Sequence, residues 1–523
     1  MLKLKFSVYF FLIIVLVPMS CTQTYSPLDL NFTKSYTVRN FYNSKVILHE
    51  LDLSEDVLDE SKYPRMHLTA PGCTFTQNEK TLTLSNHTGS DQESYISLGK
   101  VYNYAAIDLG IQQQSHKSHT AKALLTLYQD QNNQIVLQQR DIDASNKSIS
   151  LEVTQNGSKV LSETLSPEGI AAPHTLRVHL IWTFLNVLTL KDGIWKPIGS
   201  IDLAPYFDLR DKALLEKFTL YAGASLGDGE SISIDKFEHY LSSGTAQADP
   251  KVVHYEDGSP IIEGNKIWVA LTTRGYGVQL YQQIFSYDLV TKEWNVTGTL
   301  VFDKGDGILR QWAAGDVFYN RMDSTWVVFT NSHREENVIV FSGSITEDVR
   351  FGFHEIPVEQ AIYPDPGREE DPSVIYDAKA GKWRMAMCNF NEGFETLLYE
   401  ADEWDGNWKE IAKSPATSST GILIQQIGGQ RYVFQGRGDT PCPLEVLSYP
   451  DLKILGELNL SEHPEGHNIW PVIIPITRDT GTHYHLLTFD RDAWTGRRTY
   501  GNIHWYDAEE FARGFQEYEV RQE

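Results

Sequence analysis

Carboxylates, guanidinium groups, imidazoles and indole rings recur in groups through the second half of this 523-residue chain. Asp257 and Arg274 form the first group, and Arg310, Gln311, Trp312 and His333 the second. Arg368, Glu369, Glu370, Asp371 and Asn389 make the third, and Thr420, Gln435, Arg437 and Asp439 the fourth. His467, Asn468, Trp470, Asp490 and Arg491 make the fifth. Gathered at one place, carboxylates can donate and accept the protons that breaking a glycosidic bond requires. Arg274, Arg368 and Arg437 suit an anionic sugar, because a guanidinium reads a carboxylate through two parallel hydrogen bonds. A lone Trp470 or Asn389 is ordinarily a packing or turn residue. The grouping is what argues for a pocket.

A repeat of about 50 residues, the period of a propeller blade, would bring the groups together. Five units are readable over residues 250–510. The first runs from Asp257 through Lys266-Ile267-Trp268-Val269, and the second from Gln311 through Thr325-Trp326-Val327. The third runs from Glu370 through Lys382-Trp383, the fourth from Thr420 through Arg431-Tyr432-Val433, and the last from His467 through Tyr484-His485-Leu486. In a blade the innermost strand begins, and the antiparallel second strand ends, at the same face of the disc. The five groups are then expected to ring one mouth of the axis.

Residues 45–243 read differently but are also β. Runs over 81–84, 121–128, 174–180 and 232–234 alternate apolar and polar, the period of strands with one face on a core. Asn156-Gly157 and Gly227-Asp228-Gly229 supply tight turns. Strand order and the closing run 232–240 resemble a concanavalin-like jelly-roll sandwich, so the expected fold is all-β: a sandwich followed by a five-bladed propeller. Short helices are expected at 211–218 and 508–518, and residues 511–523 form a tail. The small polar stretch 242–250, ending in Pro250, is the expected linker.

The N-terminus carries an export signal. Lys3 and Lys5 precede an apolar run over residues 6–17 and then Pro18-Met19-Ser20-Cys21, the layout of a secretory signal peptide (residues 1–20). The run is too short to cross a bilayer, which takes about 20 apolar residues. Cys21 is the expected lipidation site, with residues 21–44 as tether and lead-in. The chain is then a lipoprotein of the bacterial cell envelope, periplasmic or on the outer-membrane surface, with ordinary secretion as the alternative. A net charge of −24 argues against nucleic acid or an anionic membrane surface as partner. Cys73, Cys388 and Cys442 are too scattered for a disulfide framework or zinc site. A monomer is expected.

Several segments resemble glycoside hydrolases of families 43 and 32. Glu370-Asp371-Pro372-Ser373-Val374-Ile375-Tyr376-Asp377, followed by Gly381-Lys382-Trp383, is similar to their Asp-Pro blade. Asp257-Gly258-Ser259-Pro260 resembles their first blade, Gln311-Trp312-Ala313-Ala314-Gly315-Asp316 their second, and Gly466-His467-Asn468 the start of their fifth. The resemblance implies a first-blade Asp as base or nucleophile, here Asp257, and a third-blade Asp that tunes it, here Asp371. It implies a fourth-blade Glu as acid, where this chain has Thr420-Gly421-Ile422. A threonine cannot supply a proton near neutral pH, so Glu370 or Glu369 would have to. The resemblance also implies a structural calcium near His467, and no required cofactor. Two functions stand side by side: an exo-acting glycoside hydrolase working on a complex, anionic glycan, or a glycan-binding lipoprotein that does not cleave.

Overall fold

The computed structural model describes residues 26–38, 44–67, 73–114, 121–141, 146–166, 170–171, 174–191, 193–275, 280–332, 337–390, 393–416, 419–437, 443–462, 467–478, 481–491 and 500–508. The expected β architecture is present, including a five-bladed propeller. Blade one orders Ala246–Val252, Lys266–Arg274, Leu280–Asp288 and Trp294–Asp303 from the axis outward. Blade two is built on Ala313–Asn320, Thr325–Asn331 and Val340–Ile345, with the short Glu359–Gln360 at its edge. Blade three comprises Glu369–Asp377, Lys382–Asn389, Glu395–Ala401 and Lys409–Lys413, and blade four Ser419–Ile427, Gln430–Arg437, Leu444–Ser448 and Ile454–Glu457.

Blade five is assembled from both ends of the chain. His467–Arg478, Gly481–Arg491 and Tyr500–Ala508 are followed outward by Asn31–Val38, which runs antiparallel to Tyr500–Ala508. This corrects the expectation that residues 21–44 are tether and lead-in. An unpaired outer edge of blade five would expose a row of backbone donors and acceptors, and the N-terminal strand covers it. Phe32 is completely buried beneath the blade, and the Thr37 hydroxyl meets His504 Nδ1 at 2.9 Å. Ser26 opens this segment with a capping box around the short turn Pro27–Asp29. Cys21 and the signal segment lie outside the described residues, as do the tail 511–523 and all but Ala508 of the expected final helix.

The expected linker is not one. The strand Ser231–Ser242 runs almost directly into Ala246–Val252, every residue of which is buried. Small residues stand here because this is the inner strand of blade one, where five strands crowd one axis. Blade two carries small residues at the same height, Ala313-Ala314-Gly315.

Among the described residues between Val38 and Ala246 the chain forms two eight-stranded sheets that close over one hydrophobic core. Ser231–Ser242 is central in one and Thr219–Leu226 in the other. Alternate residues of Leu82–Asn86 are buried, as the sequence period requires. The helix expected at 211–218 is a single turn, Lys212–Leu215, capped by Asp211. Tyr281, Val301 and Leu309 of the propeller join the same core. Lys212 Nζ reaches Asp303 at 3.1 Å and Glu355 at 3.0 Å across the contact.

Candidate functional site

All five inner strands break register at the same height. The shifts fall between Ala248 and Lys251, Ala313 and Asp316, Glu370 and Ser373, Thr420 and Leu423, and Ile469 and Val472. Each contains one residue with left-handed backbone: Asp249 at φ 52°, Ala314 at 56°, Asp371 at 64°, Gly421 at 72° and Trp470 at 68°. Such bulges re-aim a side chain and cost local strain in any residue but glycine. Pro250, Pro372 and Pro471 follow three of them, where a missing amide donor does no harm to the ladder. At Gly421 glycine is required: a Cβ there would lie 2.7 Å from the Trp470 ring.

Asp249 and Asp371 therefore occupy equivalent positions in blades one and three. Each is 3% exposed. Asp371 Oδ2 accepts from the Thr420 hydroxyl at 2.7 Å and from the Gly421 amide at 3.0 Å. The same hydroxyl lies 3.4 Å from Glu370 Oε1. Blade four thus contributes a hydroxyl that ties down a carboxylate of blade three. The Cys388 thiol lies against this group, and burial pushes its pKa well up, reinforced by Glu370 and Asp371.

Below the carboxylates the bore is charged. Lys251 is 1% exposed and donates from Nζ to the Pro372 carbonyl, with the Trp470 ring centroid 4.9 Å from Nζ. Burial pulls its pKa down overall, against the opposing charges of Asp316, Asp371 and Asp249. His254 places Nδ1 2.6 Å from the Tyr255 carbonyl and Nε2 3.0 Å from Asp316 Oδ1. Both partners only accept, so both ring nitrogens carry protons. Burial lowers the His254 pKa, but the Asp316 charge and hydrogen bond outweigh it and the net shift is upward.

Asp257 is not among these groups. It lies beyond the inner strand of blade one, in a broad depression at the opposite face lined also by Asp377, Arg431, Tyr449 and Tyr484. It accepts from Ser259 N at 2.9 Å and from Arg321 Nη2 at 2.7 Å. Burial works to raise its pKa, yet these bonds hold it below the usual carboxylate range. The expectation failed because blade one starts one strand earlier than its hydrophobic run suggests. The signal that could have found Asp249 is the repeat Asp249-Pro250-Lys251-Val252 against Asp371-Pro372-Ser373-Val374.

Other expected contacts are also corrected. Trp312 is 1% exposed and packs 4.3 Å, centroid to centroid, from Phe341 in the core of blades one and two. Trp470 is equally buried, filling the bore beside Lys251 and Gly421. Glu369 is a brace: Oε2 accepts from Gly367 N, Arg368 N and the Tyr363 hydroxyl, and Oε1 from Asn389. Burial raises its pKa overall against those bonds.

Arg274, Arg368 and Arg437 end or begin strands at the face where the carboxylate strands start. Arg368 is exposed there, and Arg437 lies 3.6 Å from Glu445. His467 and Arg491 pair in register at this same face. The side chains of His467, Asn468 and Arg491 lie outside the described residues, as do His333 and Asp439 entirely. Among the described residues no three His, Cys, Asp or Glu side chains converge as metal ligands.

Chemically, the mouth offers the buried Asp249 and Asp371 on two blades, a half-buried Glu370 beside Asp371 and arginines at the rim. No protein-family model matches the chain, and no curated protein does. Solved structures share parts of it. An exo-β-1,3-galactanase from Clostridium thermocellum is 13% identical with a TM-score of 0.38, over 51% of this chain and 62% of that one. The chain thus spans less than two thirds of that enzyme. A family 117 glycoside hydrolase from Zobellia galactanivorans gives 12% and 0.37, over 51% and 85%. A legume lectin-like domain from Entamoeba histolytica gives 13% and 0.26, over 34% and 90%.

Proposed function

We propose that this propeller hydrolyses glycosidic bonds at the mouth where the inner strands carrying Asp249 and Asp371 begin. The observation that supports the reading most is their equivalence. Two aspartates, each followed by proline, stand at matching bulges in blades one and three, with the Thr420 hydroxyl on one of them. In the reaction a water oxygen bonds the anomeric carbon and gives its proton to Asp249. Glu370 protonates the leaving oxygen as the glycosidic bond breaks. Asp371 holds the geometry through Thr420 and Gly421. Arg274, Arg368 and Arg437 favour a carboxylate-bearing, exo-attacked glycan.

Export and lipidation at Cys21 complete the proposal. The N-terminal strand enters blade five at the face away from the carboxylates, since Asn31 lies beside the Ala508 end of its partner strand. An anchor at Cys21 would therefore hold the far face to the envelope and leave the mouth outward.

A panel of plant and host glycans, read by released reducing ends, tests the reading. Asp249→Asn and Glu370→Gln should each lower turnover by roughly a hundredfold or more. Capture without cleavage is the second reading, favoured by Thr420 standing where blade four would supply an acid. It would appear as glycan affinity in a wild-type chain that releases nothing.

A further inference from the structure

We infer that Phe390 and Phe394 form a sugar platform at the rim of blade three, carrying the part of the glycan that departs when the bond is broken. The inference rests on the hydrolase reading for which part is held.

Both residues stand at the carboxylate face. Glu369, Asn389 and Glu395 lie abreast in neighbouring strands of blade three. Phe390 follows the second of these strands and Phe394 precedes the third. Neighbouring strands lie about 4.8 Å apart, so the pair extends outward from the strand of Glu370. The two ring centroids are 5.9 Å apart, with the rings tilted by 32°. Phe394 is 37% exposed.

A ring this exposed adds little to the core, and its backbone carries a cost. Phe394 has φ 59°, a left-handed conformation that bulky residues rarely adopt. The base of the loop is nevertheless pinned. The Phe390 amide donates to the Arg368 carbonyl at 3.1 Å. The buried Glu369 accepts from Arg368 N on one side and from Asn389 Nδ2 on the other. At Gly393 an added Cβ would lie 3.7 Å from Ala416 Cβ, so the loop rests on the connection into blade four. Glu369 thus fixes the rim rather than moving a proton.

A pyranose ring has an apolar face of C–H groups. Ligand sites take such faces on aromatic side chains, with a few polar groups to fix orientation. Glu370 protonates the leaving oxygen in the proposed reaction, and it belongs to the innermost strand of blade three. The sugar bearing that oxygen therefore starts at Glu370, and the two phenyl rings continue its path outward. Arg368 is exposed at the start of the same strand, where its guanidinium can meet a uronate carboxylate.

Affinity electrophoresis reads this as binding, apart from turnover. The parent is full-length Asp249→Asn, chosen so that cleavage does not consume the polymer, run in gels containing polygalacturonate, glucuronoxylan or gum arabic. At least one polymer should retard it. Adding Phe394→Ala should raise the dissociation constant in that gel roughly fivefold or more, while Phe394→Tyr, which keeps a ring, should not. Phe394→Gly separates platform from packing. Glycine takes the left-handed backbone without strain, so this variant should melt no lower than its parent yet bind as weakly as Phe394→Ala. A parent that no polymer retards, or a Phe394→Ala chain that binds as tightly as its parent, would overturn the inference. So would a Phe394→Gly chain that melts well below its parent, since the ring would then be packing. Retardation that depends on Phe394, in a protein whose wild type releases no reducing ends, would sink the hydrolase reading and keep the platform as a capture surface.

Discussion

The Thr420 hydroxyl donates to Asp371 Oδ2 at 2.7 Å, so blade four meets blade three through a hydrogen bond at the position where a second acid could have stood. Thr420→Ala removes that bond and leaves only the Gly421 amide on Asp371. Turnover should fall measurably, by less than for loss of Asp249, while Thr420→Ser should restore it. Steady-state kinetics on one cleaved glycan would check this.

The N-terminal strand should be indispensable to blade five. Phe32→Ala leaves a cavity beneath the blade and should cost about 3–5 kcal/mol in equilibrium denaturation. Deleting residues 26–38 should leave the blade edge open and the product aggregated on size-exclusion chromatography.

Residues 242–252 should resist limited proteolysis, because a protease needs exposed backbone. Ser243 and Ala248 are fully buried. Mass mapping of the first fragments would find cuts elsewhere. A first cut within this segment would mean that the two sheets and blade one part readily.

The five blades were legible because each carries an aromatic second strand between turn residues, a local pattern. Two features were not. The inner strand Ala246–Val252 reads as a polar linker, since Gln247, Asp249, Pro250 and Lys251 interrupt the apolar run that marks strands elsewhere. The strand Asn31–Val38 finds its partner more than 450 residues away, with Thr37 and His504 separated by 467 positions. No local pattern records such a pairing. Asp249 falls inside that apparent linker, which leaves Asp257 as the first-blade carboxylate a sequence reading finds. Trp312 looked like a ligand because residue type does not tell which side of a strand faces the mouth.

Trp312→Ala should act on stability alone. The ring fills the core between blades one and two, so its loss should cost about 3–5 kcal/mol. Glycan affinity of the folded fraction should be unchanged by isothermal calorimetry.

Stability should depend on pH through His254 and Asp316. The His254 pKa is raised in the fold, so its contribution is complete below its unfolded value of about 6.5 and is lost as pH rises through the folded value. The Asp316 pKa is lowered: burial opposes, but the His254 and Lys251 charges and the Val374 amide prevail. Its contribution is complete above about 3.9 and is lost as pH falls through the lowered value. Melting temperature against pH should be flat between those limits and decline above pH ~6.5. His254→Asn should flatten the alkaline arm.

Turnover of Asp249→Asn beside Asp257→Asn on the same glycan tests the site most directly. Asp249→Asn should lose roughly a hundredfold or more, with circular dichroism unchanged, while Asp257→Asn, altered on the far face, should turn over like wild type. The reverse pattern, or wild-type turnover in Asp249→Asn, would contradict the placement of the reactive carboxylates at the bulges of blades one and three.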